Sequence, residues 1–380
     1  MHILIAPDKF RGSLEAEEVC QAAKEGILLA YPEAEVTTVP MADGGEGTTS
    51  VLTRNAGGTL VAAQVSDPLG RSISAEYGIS ADGATAYLEM ASASGLRLLA
   101  PQEYNPLHTT TYGTGELLRH ALDRGVRTII LGIGGSATTD GGIGMAAALG
   151  YKFLDGAGAV LPPIGNSMSA IASIDSSEVD TRLRQVSVVV ACDVTNPLYG
   201  ERGAAYIYGP QKGADEAMVR QLDAGLRNLA QVAATTFEED ISQMPGAGAA
   251  GGVGAGALWF LNAKLREGVR IVMEQTRLAE KIEQADLVIT GEGKVDQQTL
   301  SGKLVKGLAD LCQEKQVPLA VVCGTLLISP AEAQEAGITY AVSVLNRPQS
   351  LEAAQSVAFE RVREATFHLV RLFYSGMKRG

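Results

Sequence analysis

Residues 132–142 read GIGGSATTDGG: five glycines, the hydroxyls of Ser136, Thr138 and Thr139, and one acid, Asp140. The apolar run RTIIL at 127–131 feeds into this stretch as a strand would. Successive glycines let backbone N–H groups converge on an anion without Cβ obstruction. A helix beginning near Gly142 would aim its N-terminal N–H groups the same way. Phosphate is the natural guest. Asp140 repels phosphate unless a cation lies between them, so a glycine nest with a carboxylate points to phosphate plus Mg²⁺, which takes oxygen ligands and keeps waters.

Four more loops combine glycine or hydroxyls with charge after an apolar run. PDKFRGS places Lys9, Arg11 and Ser13 behind the first run, where cations suit a carboxylate or phosphate. MADGGEGT offers Asp43 and Glu46, ACDVTNP offers Asp193, and TGEGKVD offers Glu292, Lys294 and Asp296. In open parallel sheets, ligands bind outside the carboxyl ends of the strands, so loops of this kind can share one cleft. Phosphoryl transfer needs cations, donors for the equatorial oxygens and a base for the attacking hydroxyl. These loops supply all three without fixing which residue plays which part. A small-molecule phosphotransferase using ATP and Mg²⁺ follows.

Other chemistries find less support. No G-x-x-x-x-G-K-[ST] loop, kinase H-R-D set or G-x-S-x-G elbow occurs. GIGGSA (132–137) and GAGAAG (246–251) match a dinucleotide fingerprint loosely, which keeps a nicotinamide-dependent hydroxy-acid dehydrogenase as the alternative. A non-catalytic anion binder would need fewer buried charges. The net charge of −12 argues against nucleic acid and anionic membranes. The four histidines lack metal-ligand spacing, and the four cysteines are scattered with no CxxC. No apolar run has the length of a signal or membrane segment, so a cytoplasmic protein is expected.

The elements that must position these loops follow from the pattern. HILIA (2–6) reads as a strand buried on both faces; a helix carrying Val19, Ala22, Ala23, Ile27 and Ala30 follows, with Ser13 as its N-cap, and EVTTVP (35–40) is a second strand. Residues 58–90 read as an antiparallel meander with a turn at Asp82-Gly83. Helices are expected at 116–123, 215–237 and 253–266, and strands at 127–131 and 186–192. DLVITGEG (286–293) again runs from strand into glycine loop, strands follow at 318–324 and 340–345, and a helix spans 354–372. The ends share one texture, so an α/β fold of two domains is expected. Residues 1–56 plus 285–380 form a discontinuous parallel-sheet domain, and 57–284 form an inserted α/β domain.

IAPDKFRGSL, VPMADGGEGT, EMASASGL, YGTGELL, GIGGSATTDGG, ACDVTNPL, GPQKGA, PGAGAAGGVGAG and VITGEGKVD together resemble the bacterial (type 1) glycerate kinase family, over nearly the whole chain. The resemblance implies a flavodoxin-like Rossmann-type domain with an inserted α/β domain, and an active site in the cleft between them. It implies ATP- and Mg²⁺-dependent phosphorylation of D-glycerate, to 2-phosphoglycerate or alternatively 3-phosphoglycerate, in glyoxylate or sugar-acid catabolism. A homo-oligomer is left open. On this reading Gly134, Gly135, Ser136, Thr138, Gly291 and Gly293 hold the nucleotide, and Asp43 or Asp140 holds the metal. Asp8, Arg11 and Ser13 hold the substrate. Asp193 is the base with Asp296 as its rival, and Lys9 and Lys294 meet the transferring charge.

Overall fold

The computed structural model describes residues 1–42, 45, 47–300 and 304–377. The chain forms two compact units, Met1–Asp43 with Val269–Gly380 and Gly44–Gly268.

The first unit is built on five strands, in the spatial order Tyr340–Ser343, Leu319–Leu326, Leu287–Val295, His2–Ile5, Glu35–Thr38. Every neighbouring pair is parallel. Numbered within the unit, this is the flavodoxin-like order 2-1-3-4-5. Ile3, Ile5, Ile289, Ala320 and Val322 join the helices Ala16–Ala30 and Ala358–Met377 in one core. Leu4, Val288 and Val321, the alternate residues, are buried too. Burial of both faces is why these strands read as unbroken apolar runs. The two helices meet at Gly26, where a Cβ would fall inside contact distance of the Arg363 carbonyl and the Thr366 hydroxyl.

Two local expectations are corrected in this unit. The first helix is capped by Glu15, whose capping box with Glu18 serves the Glu15 and Glu18 backbone N–H groups. Ser13 donates its hydroxyl to the Phe10 carbonyl at 3.0 Å instead, closing the preceding turn. The GEG segment is no loop: the strand runs on to Val295, still paired with the strand Leu319–Leu326.

The second unit holds a six-stranded mixed sheet, in the order Lys264–Arg266, Ser187–Ala191, Thr128–Gly132, Thr85–Glu89, Ser72–Ile79, Thr59–Ser66. The first four strands are parallel, and the last two close the edge as an antiparallel hairpin. Helix Thr48–Asn55 belongs to this unit rather than to the first, because Val51, Leu52 and Thr53 are buried and Glu89 accepts from Gly47 N and Thr49 N at its start. The expected helix at 253–266 spans Ala249–Leu261 and gives way to the strand Lys264–Arg266, with Asn262 in the left-handed region as its stop. Inside that helix Ala250, Gly251 and Gly252 are all left-handed, which kinks it.

Candidate active site

In the second unit three parallel strands end level. Glu89 pairs with Gly132, and Gly132 with Ala191. Their loops leave the sheet side by side and line a cavity of about 750 Å³, at the carboxyl end of the parallel strands where such sheets bind ligands. The wall includes Glu89, Gly134, Gly135, Ser136, Asp193 and Lys212.

The glycine loop is held from one side. Leu96 N donates to the Gly135 carbonyl at 2.9 Å, and Ala137 N to the Ser94 carbonyl at 2.9 Å. Gly135 needs its glycine, with φ at +73° and Ala91 Cβ 3.3 Å from where a side chain would start. Apart from Gly134 itself and its two chain neighbours, no atom lies within 4 Å of the place a Gly134 Cβ would take. Backbone bare to open space at the end of a strand is the approach an oxyanion needs.

Behind the loop, Asp140 is fully buried. It accepts from Thr111 N and Thr111 Oγ1 at 2.8 Å, from Gly142 N at 3.1 Å and from Gly144 N at 3.2 Å. Those N–H groups lie at the starts of the helices Tyr112–Asp123 and Ile143–Ala148, so one carboxylate serves two helix termini. Burial raises its pKa, and the four hydrogen bonds pull it back. The metal assignment of Asp140 is therefore corrected: its acceptor sites are filled and it does not line the cavity. Asp43, the other metal candidate, lies outside the described residues.

Thr138 is also corrected. Its side chain is fully buried, and its Oγ1 has no hydrogen-bond partner. Its carbonyl accepts from Lys212 Nζ at 2.5 Å. Ser136 does line the cavity, and its Oγ accepts from the same Nζ at 2.8 Å. Lys212 is 1% exposed, and burial pushes its pKa down to about 7 against the pull of Asp140.

Asp193 lies two residues beyond the strand Ser187–Ala191, and its Oδ1 accepts from Gly268 N at 2.8 Å. It is exposed on the cavity wall with the glycine loop. The second unit thus brings Gly134, Gly135, Ser136 and Asp193 together.

The first unit gathers the other candidates at its own strand ends. Its strand order reverses between His2–Ile5 and Leu287–Val295, and Asp8 N donates across that junction to the Gly291 carbonyl at 2.8 Å. Asp8 Oδ1 accepts from Lys9 N at 2.7 Å; Lys9 is half-buried and Arg11 exposed. Gly291 and Gly293 are explained by close backbones. A Gly291 Cβ would collide with the Val322 carbonyl, and one on Gly293 would stand 3.2 Å from Arg11 N. Lys294 Nζ pairs with Asp296 Oδ2 at 2.7 Å. That bond, with the N–H groups of Gln298 and Thr299, holds the Asp296 carboxyl below its usual range. A carboxylate so occupied is a poor proton acceptor, which removes the support for Asp296 as rival base.

Sequence reasoning missed Glu89 and Lys212. Each lies in a block quoted above, EMASASGL and GPQKGA, but neither follows glycines after a strand. The GAGAAG match to a dinucleotide loop has no strand before it: it enters the kinked helix, where Gly251 and Gly252 pack on the backbone of Thr138 and Gly141.

The model of the glycerate kinase family matches residues 3–374. The chain belongs to the glycerate kinase family. A glycerate kinase of Bacillus cereus is 44% identical over 95% of both chains. A glycerate 2-kinase of Escherichia coli K12 is 43% identical over 100% of this chain and 99% of its own. A solved structure from Salmonella typhimurium LT2 that carries the name glycerate kinase 2 superposes with a TM-score of 0.92 at 42% identity, covering 100% of this chain and 99% of its own. Membership makes the chain a phosphotransferase family member with the two-domain α/β fold of that structure. No helix among the described residues is long and apolar enough to cross a membrane.

Proposed function

We propose that this glycerate kinase family member transfers the γ-phosphoryl group of ATP to the C2 hydroxyl of D-glycerate, giving ADP and 2-phosphoglycerate. The observation that carries the reading is the cavity itself, which sets a bare glycine loop and an exposed carboxylate on one wall. The choice of O2 is supported by the likeness to the Escherichia coli protein named glycerate 2-kinase.

The N–H groups of Gly134 and Gly135 and the Ser136 hydroxyl receive the nucleotide phosphates. Asp193, aimed by Gly268 N, takes the proton of the C2 hydroxyl as its oxygen bonds phosphorus and the bridging bond to ADP breaks. At the strand ends of the first unit, Lys9 and Arg11 are cations suited to a carboxylate, with Asp8 and Ser13 shaping their turn, and Lys294 is held by Asp296.

A magnesium ion suits this carboxylate set. Among the described residues no three metal-ligating side chains cluster. Mg²⁺ keeps its waters and takes one or two carboxylates plus substrate phosphates. Glu89, which lines the cavity and whose Oε1 accepts from Gly47 N and Thr49 N, supports this reading as a carboxylate that would hold the ion through water. When bound, the ion neutralises charge on the phosphoryl oxygens.

Asp193→Asn keeps the shape of the site and loses the proton acceptor. We predict a kcat at least about 100-fold lower with glycerate KM nearly unchanged. Turnover near wild type in that variant would overturn the base assignment.

A further inference from the structure

We propose that Lys212 is the cation that meets phosphoryl oxygens in this cavity, acting jointly with the hydroxyl of Ser136. The proposal rests on the reading of the cavity as the phosphate site of a kinase. It assigns the charge that site requires, which no loop motif supplies in the second unit.

An ammonium that is 1% exposed is destabilising unless something compensates it. Here the compensation is partial. Lys212 Nζ donates to two neutral oxygens, Ser136 Oγ and the Thr138 carbonyl, both in the glycine loop. Among the described residues no carboxylate lies within ion-pair distance of it. Asp140 is the charged group that acts on it, and that carboxylate already holds four hydrogen bonds. An ammonium has three donors, so one remains after these two bonds. The side chain nevertheless lines the cavity.

Direction matters as much as charge. Because Nζ donates to Ser136 Oγ, the Ser136 hydrogen points to some other acceptor. Lysine and serine therefore offer an N–H and an O–H beside the bare backbone of Gly134. The lysine is carried on a fixed turn. Its N–H bonds the Gly209 carbonyl at 3.0 Å, and Gly213, at φ +92°, lies so close to Tyr104 that a Cβ would strike its backbone. A preorganised donor of this kind costs no rearrangement when the anion arrives. An entering anion also restores the proton affinity that burial removes, so binding draws a proton onto Lys212.

The test is calorimetric titration with the β,γ-imido analogue of ATP plus Mg²⁺, and separately with D-glycerate. Wild type, Lys212→Met and Ser136→Ala are compared, with melting temperatures recorded. The expected result for Lys212→Met is an affinity for the analogue lower by about tenfold or more, with glycerate affinity within about twofold. Ser136→Ala moves the same way by less. Analogue affinity unchanged in Lys212→Met, or a loss confined to glycerate, would overturn the proposal. Should Lys212→Met fail to fold, Ser136→Ala decides: analogue affinity unchanged from wild type in that variant overturns the proposal. Turnover of ATP and glycerate by wild type reads the kinase assignment independently. Analogue binding that depends on Lys212 without turnover overturns that assignment alone. Normal turnover with a Lys212→Met variant that binds normally overturns this inference alone.

Discussion

Two buried charges at the glycine loop, Asp140 within it and Lys212 bonded to it from another turn, behave differently. Asp140 is surrounded by donors and so does structural work; Lys212 is short of acceptors and so waits for a ligand. Asp140→Ala strands four donors, and we predict a loss of about 3 kcal/mol in unfolding free energy, read by denaturant titration. Asp140→Asn, which retains an acceptor, should leave the Mg²⁺ dependence of turnover unchanged. A shifted Mg²⁺ optimum would return Asp140 to the metal. For Lys212 the folded state releases its proton near pH 7 whereas the unfolded chain holds it to about 10.5. The unfolded state therefore binds more protons in that window, and stability should climb as pH rises through it. Stability curves measured from pH 7 to 10 should lose that component in Lys212→Met.

Two glycines at element contacts separate folding from function. Gly26 lets the helices Ala16–Ala30 and Ala358–Met377 touch. Gly26→Ala should lower stability by about 1–3 kcal/mol and leave KM for ATP unchanged below the melting range. Gly251, at φ +70°, packs against the Thr138 carbonyl that receives Lys212. Gly251→Ala should therefore cost stability and also raise KM for ATP, because it moves the acceptor that fixes the ammonium. Melting curves beside steady-state kinetics check both; equal effects on KM from the two variants would contradict the distinction.

At the scale of the molecule, the parallel sheets were legible because strands buried on both faces leave unbroken apolar runs, as HILIA and VSVVVAC do. The excursion between the second and third strands of the flavodoxin-like sheet showed in the shift of texture after residue 56. The unit begins before residue 57, and the helix Thr48–Asn55 reads the same whichever sheet it covers, its burial and its bonds to Glu89 showing in the structure alone. Among the residues that line the cavity, the Gly134–Ser136 loop and Asp193 were legible as glycine and acid after a strand. Asp140 matched that same pattern and misled, since burial depends on the distant Thr111 and not on local sequence. Lys212 was illegible because its partners lie 74 and 76 residues away. Gly291 and Gly293 looked like a loop because backbone crowding and ligand approach demand the same residue.

The central claim is phosphorylation of D-glycerate at O2. The direct measurement supplies purified protein with ATP, Mg²⁺ and D-glycerate and passes the product to enolase, with and without phosphoglycerate mutase. Signal with enolase alone is the predicted result. Signal only when mutase is present would place the phosphoryl group on O3, and no signal in either arm with ATP intact would contradict the kinase account itself.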